Sequence, residues 1–198
     1  MIMTGGFVFI VGPSGAGKDT LLGLAKSELS QDGRFLFPRR LVTRSSSVWE
    51  DHDTMTEEEF ETGHANRRFT LSWRAHGHGY ALPRSCLAAA RAGHLVVCNI
   101  SRTLVEDARR CLPNVAVVEV TAPRAILAAR LAQRNRSDDA NLEARLARSS
   151  EVGPIEVDLT IVNDRSPEEG AGQLVSFLYS RMQDPALPLK VTMSGMPG

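Results

Sequence analysis

With 198 residues, 23 basic and 23 acidic side chains and a formal net charge of zero, the chain can hold one α/β domain with a sizeable core and small insertions, and a second full domain is not expected. The charges are spread without a basic tail or stripe, so nucleic-acid binding is not expected. No apolar run reaches the length of a membrane span, no basic flank with a cleavage site opens the chain, and the three cysteines read as reduced thiols; the expectation is a soluble cytoplasmic protein with no membrane association.

In chain order, the apolar run from Phe7 to Val11 reads as a buried strand. It stops at Gly12-Pro13-Ser14-Gly15-Ala16-Gly17-Lys18-Asp19-Thr20, followed by the amphipathic stretch Leu21 to Ser30. Strand, glycine loop, lysine and helix together are a phosphate-binding P-loop. The glycines let backbone N–H groups wrap a phosphate at a helix N-terminus, and Lys18 brings a compact positive charge to the β- and γ-phosphates. This chain departs from the usual pattern at one place. Ser or Thr normally follows the lysine and ligates Mg²⁺, whereas Asp19 stands here with Thr20 next. A carboxylate is a good ligand for a hard cation, so Asp19 is a candidate metal ligand, with Thr20 as the alternative.

From about Arg39 to Pro83 the alternation of strands and helices is interrupted. Thr56-Glu57-Glu58-Glu59 reads as a capping box, and Phe69 to Trp73 as a short strand. Pro83 is placed in the first turn of a helix that ends before Gly93. Leu95 to Asn99 reads as a strand, Ser101 as a helix cap, Val115 to Val120 as a strand, and Thr121 with Pro123 as the opening of a helix to about Arg134. A second interruption, polar and charged, runs from Arg134 to Asp139, with Arg130, Arg134 and Arg145 spaced to form one cluster. Alone it reads equally well as a solvated helical hairpin; behind a P-loop it reads as a lid over about 134–142 that clamps transferring phosphates. Leu159 to Val162 is a last strand. A final helix starts near Ser166-Pro167, with Leu174, Phe177 and Leu178 on its apolar face, and the Pro- and Gly-rich tail 184–198 is expected to be poorly ordered. Short β-rich runs alternating with helices predict a three-layer α/β/α fold around a mostly parallel sheet.

Several of these segments, from Phe7 to about Phe177, resemble the guanylate-kinase-like branch of the nucleoside monophosphate kinases. Gly12 to Lys18 is similar to that family's P-loop, and Leu41-Val42-Thr43-Arg44 to its arginine-bearing acceptor segment. Gly77-His78-Gly79-Tyr80 is similar to its acceptor-phosphate tyrosine motif, Arg130-Leu131 with Arg134 and Arg145-Leu146 to its lid arginines, and Val162-Asn163-Asp164 to its nucleotide-base loop. The resemblance implies a single kinase domain over residues 1–183, with 39–83 as the acceptor-binding insertion, and use of ATP with Mg²⁺.

The acceptor site departs from guanylate kinases. Counting back from Tyr80, Leu71 falls where those enzymes carry a glutamate that accepts hydrogen bonds from guanine. An unpaired buried polar edge costs about 1–3 kcal/mol per group, which opposes selective guanine binding. A further phosphate-binding tyrosine is missing near Asp53-Thr54-Met55, while Arg39, Arg40 and Arg44 remain. These departures resemble the ribose 1,5-bisphosphate phosphokinases of phosphonate breakdown, whose pattern is seen in Leu71 to Gly77, Val97 to Arg102, Gly17-Lys18-Asp19 and Glu143 to Arg148.

That resemblance implies phosphorylation of ribose 1,5-bisphosphate to 5-phosphoribosyl 1-diphosphate (PRPP). Lys18 with lid residues Arg134 and Arg145 would carry the transfer. Gly12 to Thr20 would hold ATP, with Asn163 and Asp164 beside adenine. Arg40, Arg44 and Tyr80 would take the acceptor's phosphates, and Asn99 and Ser101, at a strand's carboxyl end, the ribose hydroxyls. His76 and His78 read as acceptor-pocket lining rather than a metal site, and Trp73 as core. Two rivals stay open: a divergent kinase of GMP or another nucleoside monophosphate, and a noncatalytic guanylate-kinase-like protein-binding module. The oligomeric state is left open, with a homodimer among the options.

Overall fold

The structure is a computed structural model; residues 5–45, 52–75, 77–133 and 155–183 are described here. Two sheets organise it. The larger has five parallel strands in the order β2-β7-β1-β8-β9: β1 (Gly6–Val11), β2 (Phe35–Leu36), β7 (Leu95–Asn99), β8 (Val115–Thr121) and β9 (Leu159–Val162). β1 lies in the middle and all six of its residues are buried, which explains its continuous apolar run: a central parallel strand has no solvent face.

Successive β1 side chains enter different layers, as the two-residue repeat of a strand requires. Val8 and Ile10 pack with Leu21 and Ala25 of α1 (Lys18–Glu28) and with Leu174, Phe177 and Leu178 of the final helix. Phe7, Phe9 and Val11 pack on the opposite side with Cys86 and Ala90 of α3 (Ser85–Arg91) and Val105 and Ala108 of α4 (Val105–Cys111). The layer order expected from the sequence is therefore present, with helices on both faces of a parallel sheet.

The smaller sheet is built from the 39–83 insertion in the order β4-β3-β6-β5: β3 (Arg40–Val42), β4 (His52–Thr54), β5 (Phe69–Ala75) and β6 (His78–Pro83). β5 and β6 pair antiparallel, as do β3 and β6, while β3 and β4 run parallel. One face contributes Val42, Trp73, Tyr80 and Leu82 to the same core as Phe7 and Phe9, so the insertion is fused to the main sheet through packing. α2 (Glu57–Ala65) closes the other face with Phe60 against Met55 and Ala81.

Local chemistry explains most boundaries. The capping box at α2 is present: Thr56 Oγ1 accepts from the Glu59 N–H at 3.1 Å, and the Glu59 carboxylate accepts from the Thr56 N–H at 2.7 Å. Pro83 differs from expectation, being the last residue of β6, paired with Phe69. Its carbonyl accepts from Thr70 Oγ1 at 2.7 Å, which keeps it on the strand while the helix starts at Ser85. Ser101 stands before a 3₁₀ turn (Arg102–Leu104) that leads into α4, and its hydroxyl pairs with Thr103 Oγ1 instead of capping a backbone N–H. α5 (Arg124–Gln133) and α6 (Pro167–Gln183) match the two later helices. The segment 134–142, expected as a lid, and the tail 184–198 lie outside the described residues.

Candidate active site

The carboxyl ends of β1, β7, β8 and β9 lie along one edge of the main sheet, because all are parallel and in register: Ile10 pairs with Asn99, Val11 with Glu119 and Thr121 with Val162. Open α/β sheets bind ligands at such an edge. The P-loop leaves β1 there. Gly12 has φ +138°, and a Cβ on it would lie 2.0 Å from the Val120 carbonyl oxygen, so the strand can turn into the loop only without a side chain. Gly17, at φ +91°, is the N-cap of α1; a Cβ there would meet Asn163 Nδ2 at 2.4 Å. Leu21 N–H donates to the Gly17 carbonyl at 3.0 Å, starting the helix whose N-terminal end the loop presents to an anion.

Lys18 Nζ donates to the carbonyls of Gly12 and Pro13 at 2.8 and 2.9 Å, so the ammonium is held over the loop's own turn. Asp19, on the first turn of α1, accepts a 2.7 Å hydrogen bond on Oδ1 from Asn99 Nδ2, and Thr20 beside it is exposed. The partner the structure gives Asn99 is thus Asp19. Ser14 and Pro13 are half-buried, and Gly15 and Ala16 are buried.

The back of the loop is braced from β9. Asn163 is buried, its backbone N–H donates to the Thr121 carbonyl at 2.7 Å, and its Nδ2 donates to the Ala16 carbonyl at 2.8 Å. Asp164, next to it, is exposed. Arg130 approaches from α5: its Nη1 lies 4.0 Å from the position a Gly17 Cβ would take, is buried, and has no hydrogen-bond partner among the described residues. Arg134 and Arg145 lie outside the described residues.

The acceptor-side candidates sit on the small sheet. Tyr80 is buried and stacks on Trp73, with ring centroids 5.4 Å apart and planes 11° from parallel, while the Arg40 guanidinium lies 5.8 Å from the Tyr80 centroid. Arg40, Tyr80 and Trp73 therefore form a stack, which makes Trp73 the core residue expected and also the support of Tyr80. Arg44 is half-buried one residue beyond Thr43, whose Oγ1 accepts from the Gly79 N–H at 2.9 Å and ties the two candidate acceptor segments together. Arg39 instead binds the neighbouring strand, through the His52 carbonyl at 2.9 Å and Asp53 at 3.0 Å. Leu71 is half-buried and packs against the core around Phe7 and Phe9, without a polar atom to offer a base.

Two groups were not found by reading the sequence. Arg102 and Glu119 approach to 3.6 Å at the carboxyl edge; the polar residue inside Val115-Ala116-Val117-Val118-Glu119-Val120 was the available signal. Arg74 bridges Glu57 and Glu61, tying β5 to α2. Hydrogen bonds from Thr43 and then Arg74 hold the Glu57 carboxyl below its ordinary range.

These residues fit a magnesium nucleotide. The loop turns on glycines whose Cβ atoms would collide with Val120 and Asn163 behind it, a lysine overhangs it, and a carboxylate with an adjacent hydroxyl opens the helix.

No protein-family model matches the chain. Among characterised proteins it is 53% identical over 176 residues to the ribose 1,5-bisphosphate phosphokinase PhnN of Methylobacterium radiotolerans, covering 89% of this chain and 98% of that one. It is 47% identical over 171 residues to the protein of the same name from Bradyrhizobium diazoefficiens, covering 86% of each. Among solved structures, guanylate kinase from Anaplasma phagocytophilum superposes with a TM-score of 0.67 at 18% identity, over 96% of this chain and 92% of that one, a likeness of fold.

Proposed function

The chain belongs to the ribose 1,5-bisphosphate phosphokinase family, and we propose that it transfers the γ-phosphoryl group of ATP to the 1-phosphate of ribose 1,5-bisphosphate, releasing ADP and forming PRPP. The observation that carries this reading is the pairing, in a chain of that family, of a P-loop cradle with an acceptor sheet that has arginines and a tyrosine but a leucine, Leu71, at the expected base-reading position.

The acceptor nucleophile is a phosphate oxygen, ionised near neutral pH, so the reaction requires no general base. That oxygen attacks the γ-phosphorus, a new P–O bond forms, the bond to the β,γ-bridging oxygen breaks, and ADP leaves with the electron pair. Catalysis then rests on positioning and charge. The loop from Gly12 to Thr20 holds the ATP phosphates, and Lys18 exchanges its two loop carbonyls for β- and γ-phosphate oxygens. Asp19 would hold Mg²⁺, directly or through water, with Thr20 as the neighbouring hydroxyl. When bound, the cation neutralises charge on the transferring group. Arg40, Arg44 and Tyr80 hold the acceptor's phosphates, Ser101 its ribose, and Arg134 and Arg145 close over the transfer as a lid. Asn163 shapes the loop from behind, and Asp164 is the exposed member of the pair proposed for adenine. The protein works as a single kinase domain on small molecules.

The test is ADP release with MgATP and ribose 1,5-bisphosphate, ribose 5-phosphate or GMP in parallel, with each product identified. Preference for the bisphosphate with PRPP formed is the expected result. Preference for GMP would restore the nucleoside monophosphate kinase reading, and failure to bind MgATP would favour a noncatalytic module.

A further inference from the structure

P-loop enzymes of the Ras and ATPase type hold Mg²⁺ between the Ser or Thr that follows the P-loop lysine and an Asp on a neighbouring strand: a neutral oxygen on the helix, a charged one on the sheet. This chain has the opposite arrangement. The residue after Lys18 is Asp19, and the strand beside β1 ends in Asn99, paired in register with Ile10. The two side chains, 80 positions apart, are joined by the 2.7 Å bond from Asn99 Nδ2 to Asp19 Oδ1.

We propose that the charged and neutral members of the metal corner have exchanged places, and that Asn99 is a positioning residue that holds Asp19 by Oδ1 so that Oδ2 serves the cation. This rests on the MgATP reading given above. Asn99 is only 8% exposed and belongs to a strand locked between β1 and β2, so its amide is a fixed donor, whereas Asp19 on the first helical turn is exposed and would otherwise sample several rotamers. The exchange also accounts for the residue types as a pair. Aspartate at both positions would put two carboxylates within hydrogen-bond distance, and serine with asparagine would leave the corner without charge.

The test uses Mn²⁺ as the probe, titrated into the full-length protein with ADP and no acceptor, followed by electron paramagnetic resonance, with the melting temperature recorded for each variant. Asn99→Ala is expected to weaken Mn²⁺ binding about tenfold, the loss typical of a group that orients a ligand. The same change on an Asp19→Ala background is expected to cost less than about twofold, since there is nothing left to orient. The exchange Asp19→Ser with Asn99→Asp, which rebuilds the commoner arrangement, is expected to bind Mn²⁺ more tightly than Asp19→Ser alone. Asn99→Ser replaces Asn99→Ala if the latter does not fold. An Asn99→Ala effect of equal size in both backgrounds, no effect at all, or an exchange no better than Asp19→Ser overturns the proposal. Wild-type protein that binds no Mn²⁺ with ADP would overturn the kinase reading and this one with it.

Discussion

Asn163 and Ala16, separated by 147 positions, are joined by the hydrogen bond that seats the P-loop against β9. It is buried, and the Asn163 backbone is itself fixed to Thr121, so the loop inherits the rigidity of the parallel sheet. Removing the amide leaves the Ala16 carbonyl without that donor, at a cost of about 1–3 kcal/mol. Asn163→Ala is therefore expected to raise KM for ATP roughly tenfold while KM for the acceptor stays within about twofold. Steady-state kinetics with each substrate varied in turn decides it; equal rises in both constants would mean a general loosening of the fold.

Lys18 gives a sharper separation of fold from function. Lys18 donates to two loop carbonyls at a partly buried position and belongs to neither large core cluster, so Lys18→Ala leaves the cores untouched. Turnover is expected to fall by at least about a hundredfold, as when a donor to developing transition-state charge is removed, with a melting temperature within a few degrees of wild type. Near-normal turnover in that variant would sink the P-loop mechanism.

The inner strands of the main sheet were legible because they are buried on both faces and spell apolar runs, as Leu95 to Asn99 does; the edge strand Leu159 to Val162, where only Ile161 is fully buried, was legible from its β-branched residues instead. The shortest strands were less legible. β2, at the edge of the main sheet, and β3 and β4, in the insertion, have two or three residues each, too few for any period to show, and the insertion's pairing is set by tertiary contacts such as Val42 against the main core. Pro83 misled because a proline suits the last position of a strand as well as the first turn of a helix. At the site, P-loop residues could be named from the sequence, whereas the bonds from Asn99 to Asp19 and Asn163 to Ala16 join distant segments that no local pattern connects.

The stack of Arg40, Tyr80 and Trp73 allows the acceptor site to be tested in two steps. Tyr80→Phe keeps the ring on Trp73 and removes only the hydroxyl, so KM for the bisphosphate is expected to rise about 5–10-fold, the worth of one hydrogen bond. Arg40→Ala removes a charge that can pair with phosphate and is expected to cost more, roughly 10–100-fold. KM for ATP should change less than about twofold in both. A loss confined to ATP would move Tyr80 and Arg40 out of the acceptor site.

Burial of thiols sets an alkaline limit on stability. Cys86 and Cys98 are buried between the sheet and α3, Cys111 is exposed, and all three are free. Loss of solvent pushes the Cys86 thiol up from 9.0 to about 11 and raises Cys98 further. Below about pH 9 folded and unfolded chains both keep these protons, so the stabilisation is fully present. As pH rises from about 9 towards 11, the unfolded chain releases a proton that the folded chain retains at Cys86. The folded state then binds more protons and unfolding free energy falls with pH, by at most about 3 kcal/mol for this residue. Urea unfolding at pH 7.5, 9 and 10.5 is expected to show a steeper alkaline decline for wild type than for Cys86→Ala, the difference approaching one proton. Parallel declines would mean that Cys86 titrates as it does in the unfolded chain, through solvent access to the sheet–α3 layer that its burial contradicts.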